Sequence, residues 1–70
     1  MTDFKLLEHA MKNSGMTMTA IAKKSGITRE TLYNRLKGIG EFTASEIEGL
    51  SSAMHLTRAQ REAIFFSHEV

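Results

Sequence analysis

The chain has 70 residues, no cysteine, no proline and a formal net charge of +1. That length allows one domain with a limited core, and the missing cysteines exclude disulfides and any thiolate zinc site. The longest uninterrupted apolar run, Ala63 to Phe66, is far too short to cross a membrane.

Alanine, leucine, glutamate and lysine are frequent and strand-like alternation is absent, so the expected fold is all-α. The start, "MTDFKLLEHAMKN", carries early acids and no long apolar stretch, so it does not read as a signal peptide. A reducing cytoplasm suits the cysteine-free composition.

Five threonines stand where helices should begin: Thr2, Thr17, Thr28, Thr43 and Thr57. A threonine at an N-cap accepts a hydrogen bond from an amide that the helix leaves orphaned. The first predicted helix spans about Asp3 to Asn13, with Phe4, Leu7 and Met11 on one face. The second spans Met18 to Lys24 and offers Ile21 and Ala22. The third, Arg29 to Lys37, offers Leu32 and Leu36. The fourth, Ala44 to Met54, offers Ile47, Leu50 and Met54. The fifth, Arg58 to Ser67, offers Ile64 with Phe65 or Phe66.

Thr43 with Glu46, and Thr57 with Gln60, have capping-box spacing. Met16 with Ile21, Ile27 with Leu32, and Phe42 with Ile47 have the spacing of hydrophobic staples. Gly15, Gly26 and Gly38 sit where helices should end in a left-handed residue. Gly49 falls inside the fourth helix, at a cost of up to about 1 kcal/mol relative to alanine, and would allow a close neighbour. No repeat, linker or low-complexity tract divides residues 1–70.

Charge is uneven along the chain. Thr17 to Gly38 carry Lys23, Lys24, Arg29, Arg35 and Lys37 against Glu30 alone, a local +4. Ile39 to Leu56 carry Glu41, Glu46 and Glu48, a local −3. A local basic patch suits a polyanion, while the small total argues against strong nonspecific binding.

The second and third helices are joined only by "KSGI". So short a break, with glycine at the bend, makes them cross steeply. That is a helix-turn-helix over about residues 17–38, whose second helix can protrude into a major groove.

The run "TMTAIAKKSGITRETLYNRLKG" resembles the Cro/C1-type, lambda-repressor-like helix-turn-helix family, with Ile21, Ala22, Gly26, Ile27, Leu32 and Gly38 in register. Farther on, "EFT..EI", "LT" and "IFF" fit the fourth and fifth helices of small phage-associated members. The resemblance implies a compact five-helix DNA-binding domain. Its partner would be a double-stranded operator, bound as a homodimer, in the cytosol of a bacterium or phage-infected host. It further implies that Thr28, Arg29, Glu30 and Asn34 face base edges, and that Thr17, Met18 and Lys37 lie near the phosphate backbone.

Two departures stand out. The family commonly has a phosphate-bonding glutamine where this chain has Met18, which cannot donate a hydrogen bond. It also often has an aliphatic residue where Arg35 stands. Leu36 takes the core role here, which turns Arg35 elsewhere, toward the DNA backbone or a protein partner.

On chemistry alone, Arg29 can pair with guanine in bidentate fashion, Asn34 with adenine, and Glu30 can accept from the cytosine amino group. The blander alternative is a solvated helix face, with Glu30 favoured by the positive helix end. Lys23 and Lys24 suit the negative end of the second helix. Tyr33, Arg35 and Lys37 join Thr17 as candidates for the phosphate backbone, with a half-buried tyrosine the competing account of Tyr33. Met18, Phe65 and Phe66 are candidates for a protein interface, since methionine adapts to partners and two adjacent phenylalanines diverge by about 100° on a helix.

Enzyme chemistry is not expected. Asp3 is the only aspartate, and His9, His55 and His68 lack metal-ligand spacing. Glu46 and Glu48 lie about 200° apart on a helix. "GIG" has no following lysine to make it a phosphate cradle. No cofactor or metal is therefore expected. A second class of function is a protein-binding antirepressor, which would capture a phage repressor through this surface or its C-terminal end and block its operator contacts.

Overall fold

In the computed structural model, residues 1–67 are described, and they form five α-helices with no strand among them. The order is α1 (Phe4–Asn13), α2 (Met18–Ser25), α3 (Arg29–Leu36), α4 (Ala44–Ala53) and α5 (Arg58–Phe65). His68, a histidine considered above, lies outside the described residues.

Side-chain caps set each helix start. Thr17, Thr28, Thr43 and Thr57 each accept from the backbone N–H three residues on, and both expected capping boxes form. The first helix departs from expectation. Its cap is Asp3, not Thr2, and the Asp3 carboxylate accepts from Leu6 N–H at 3.1 Å. Asp3 is fixed there because its own N–H donates to the Ile64 carbonyl at 2.6 Å.

Four helix ends differ from expectation by one or two residues. Ser25 stays helical because its hydroxyl donates back to the Ile21 carbonyl at 2.6 Å. The fifth helix stops at Phe65, not Ser67, because Ser67 N–H turns to the Met1 carbonyl at 3.1 Å. The two ends of the described chain are thereby tied together. Past α4 no glycine is available, and His55 takes the left-handed conformation instead (φ 51°).

One core joins the five helices: Leu7, Ile21, Ala22, Leu32, Ile47, Leu50, Met54, Ile64 and Phe65, with Leu7, Leu32 and Leu50 wholly buried. Met16, Ile27 and Phe42, the outer members of the three staples, pack against it. Phe42 meets Phe65 edge-on, with ring centroids 5.4 Å apart and planes at 72°. Two expectations are corrected. Phe4, expected on the buried face of α1, is 39% exposed. It occupies the first turn and lines an open cleft with Met1 and Phe42. Phe65, considered as an interface residue, is 3% exposed and belongs to the core; Phe66 is the outward member of the pair at 50%.

Glycine has one indispensable interior position. A Cβ on Gly49 would lie 2.3 Å from the Ser25 carbonyl oxygen. The middle of α4 therefore rests directly on the last backbone carbonyl of α2.

Candidate nucleic-acid interface

The placement of α3 begins with the turn before it. Gly26 adopts φ 78°. Its N–H donates to the Lys23 carbonyl at 3.3 Å, and Ile27 N–H donates to the Ala22 carbonyl at 3.1 Å. This pair of bonds is a Schellman closure of α2. Ile27 then packs on the core and Thr28 caps α3. Two residues separate the glycine bend from the first turn of the next helix, so the direction of α3 is set by backbone bonds and one staple.

On an α-helix each residue advances by about 100°. By that spacing Arg29, Tyr33, Lys37, Glu30 and Asn34 fall within one arc of roughly 140°, Leu32 and Leu36 fall beside its Arg29 edge, and Arg35 falls on the opposite side. Burial follows the same division: Leu32 is fully buried and Leu36 half-buried, while Arg29, Glu30, Tyr33 and Lys37 are exposed and Asn34 is half-buried. The candidate base-reading and backbone residues of this helix, apart from Arg35, therefore share one face.

The local contacts distinguish them. Thr28 is engaged in its own helix: its Oγ accepts from Thr31 N–H at 3.0 Å and its hydroxyl donates to Thr31 Oγ at 2.8 Å. Toward a base edge it can only accept. Thr17 Oγ accepts from Ala20 N–H at 3.1 Å, and its hydroxyl proton remains available to an outside acceptor. Lys37 Nζ sits 5.0 Å from the centroid of the Tyr33 ring. The pair therefore places a cation over an aromatic face at the centre of the arc. Sequence reasoning treated these two separately, although their i, i+4 spacing was the signal for a pair.

Arg35 is the main correction. Expected at the phosphate backbone, it lies off the exposed arc and turns toward α4. Its Nε donates to Glu46 Oε1 at 3.1 Å and Nη2 to Oε2 at 3.3 Å. Its third nitrogen, Nη1, donates to the Ile39 carbonyl at 3.2 Å. Three of its five N–H donors are thereby engaged inside the fold, and its charge is paired with Glu46. Met18, a candidate for a protein interface, is less exposed than a helix start would suggest. It is half-buried, packs on the core, and lines a groove of about 410 Å³ with Met11 and Leu36.

Burial by itself would raise the Glu46 carboxyl. Hydrogen bonds from Arg35 and from the Thr43 backbone, with the Arg35 charge, outweigh it and hold the carboxyl below its ordinary value of 4.5. A carboxylate whose folded pKa is depressed adds stability at neutral pH and loses it as pH falls through the folded value. Thermal unfolding should therefore show a component of stability that disappears as pH drops below 4.5, and Glu46→Gln should remove that component. An identical pH profile in the variant would detach Glu46 from the acid response.

With Arg35 neutralised internally, α3 presents Arg29 and Lys37 against Glu30, a weak positive balance. Such a face depends on specific contacts more than on bulk attraction for phosphate. Among the described residues no group of histidine and acidic side chains could hold a metal ion. No helix of the described chain is long and apolar enough to cross a membrane.

A family model described as bacterial regulatory protein, Fis family, matches residues 1–38, which comprise α1, α2 and the whole of α3. No curated protein and no solved structure matches the chain.

Proposed function

The chain belongs to the Fis family of bacterial regulatory proteins, a helix-turn-helix match that supports a DNA-binding transcriptional regulator; on the separate resemblance of residues 17–38 we propose that it is sequence-specific, of Cro/C1 type, and serves a phage genetic switch. The carrying observation is the exposed arc of α3 behind a Schellman-closed turn. Arg29 would pair with a guanine edge, with Asn34 and Glu30 as further base-edge partners. Thr17, Tyr33 and Lys37 would lie along the phosphates, and Thr28 would stand beside a base or phosphate as an acceptor. The Cro/C1 likeness of residues 17–38 and of the α4 and α5 segments supports the finer assignment. Two copies would place their α3 helices about 34–36 Å apart on a near-palindrome.

The direct test is selection from a random duplex pool by the purified protein at roughly 0.15 M salt. The expected result is an enriched half-site. Arg29→Ala should abolish preference at one base position, worth about 1–3 kcal/mol, with the fold unchanged. Unaltered preference in that variant would remove Arg29 from the reading.

A second reading is favoured by specific features: Met18 offers no donor at the phosphate anchor of the Cro/C1-type pattern, Glu30 adds a negative charge beside Arg29, and Phe66 is half exposed. In this reading the chain is an antirepressor, whose acidic and apolar surface groups hold the basic DNA-reading patch of a repressor. A folded protein that enriches no duplex would favour it.

A further inference from the structure

We propose that Arg35 and Glu46 are positioning residues for the reading helix, setting the orientation of its last turn. The inference rests on the assignment of α3 as the reader. α3 has eight residues, and only Leu32 among them is fully buried. Its first turn is fixed by the Gly26 bend and Ile27. Its second half carries Tyr33, Asn34 and Lys37, and Leu36 beneath them is only half-buried. A single apolar row leaves a short helix free to roll about its axis, and a roll would re-aim each of those side chains.

Arg35 supplies the missing lateral constraint. One guanidinium joins three segments: the end of α3, the Ile39 carbonyl in the connection, and Glu46 in the first turn of α4. The same Glu46 Oε1 accepts from Thr43 N–H at 3.0 Å, so the ion pair is built onto the cap of α4. The connection closes over it. Gly40, at φ 74°, turns the chain past the guanidinium, and a Cβ there would press on Arg35 Nη1. The side chains are 22% and 11% exposed, and the pairing is bidentate, a geometry that only arginine provides. Neither residue need touch DNA. Their effect is exerted through Asn34 and Lys37.

Glu46→Gln separates this role from a phosphate contact by sign. Glutamine keeps the acceptor for Thr43 N–H but loses the charge. If Arg35 served a phosphate, freeing it and deleting a carboxylate would leave binding unchanged or tighter. Positioning requires about tenfold weaker binding to the selected half-site, the scale of one base contact, with binding to a scrambled duplex and the salt slope unaltered. Arg35→Lys supplies the complementary arm: it preserves the charge, so a phosphate contact would survive, whereas the bidentate pairing would not. Circular dichroism confirms that each variant is folded, and amide NMR of the free proteins reads α3 directly. Weaker half-site binding in both variants, with shifted amides from Tyr33 to Gly40, is the expected result. Unchanged or tighter binding by Glu46→Gln overturns the proposal. Should the wild-type protein enrich no half-site, the DNA reading fails. The NMR arm then still decides the orientation claim: shifted amides retain it, and unshifted amides overturn it.

Discussion

Gly49→Ala should lower the melting temperature by about 8–16 °C, the shift that a loss of about 2 kcal/mol produces in a domain of this size. Helix propensity alone predicts the reverse sign. Alanine is favoured over glycine by about 1 kcal/mol in a helix interior, and Gly49 lies in the middle of α4. The opposing effect is the Ser25 carbonyl oxygen, 2.3 Å from where the new methyl carbon would sit. A flexible side chain could move aside, but this oxygen belongs to the backbone at the end of α2. The next residue, Gly26, is tied by its N–H to the preceding turn, so the carbonyl has little freedom to give. Overpacking of this kind costs up to about 3 kcal/mol, which exceeds the propensity gain. A 70-residue domain has roughly 4–10 kcal/mol of total stability, so a net loss of 2 is large. Calorimetry or thermal circular dichroism on the two proteins decides the matter. A raised melting temperature would mean that α4 can draw back from α2 without penalty.

How far the sequence could be read depended on the range of the interaction. Helix starts are local: a threonine and the amide three residues on, or an apolar pair five residues apart. Four of the five threonine caps, both boxes and the left-handed glycines were accordingly legible. Thr2 gave way to Asp3 because a tertiary bond from Asp3 to Ile64 fixes where α1 begins. The fate of Arg35 was not legible, because its partner lies 11 residues away in another helix. Once Leu36 filled the core position, nothing in the local pattern distinguished a guanidinium turned to solvent from one turned to Glu46. The choice between Phe65 and Phe66 was similarly tertiary, settled by the edge-on contact with Phe42. The mostly exposed arc of α3 was legible because it follows from helical periodicity, while its free positive charge was overestimated by the one arginine that is paired internally.

Leu32→Ala should cost about 3–4 kcal/mol, within the range for leucine truncations in closed cores, and lower the denaturant midpoint by about a third or more. Leu32 is wholly buried and shares its cluster with Ile21 of α2 and Leu50 of α4. It is also the one completely buried residue of α3. An eight-residue helix has negligible stability alone, so α3 persists only while the core holds it. Because the cluster is shared, the loosening should spread to α2 and α4, and the amides of Thr31 to Leu36 should exchange together with those around Leu50. Separate and earlier exchange of α3 would instead make it a detachable element. The cooperative outcome has a consequence for DNA binding. Whatever fraction of Leu32→Ala remains folded should retain the wild-type base preference, and apparent affinity should fall only with the folded fraction. Arg29→Ala should behave in the opposite way, with preference altered at one position and stability untouched. The two variants together separate what holds the helix in place from what the helix reads.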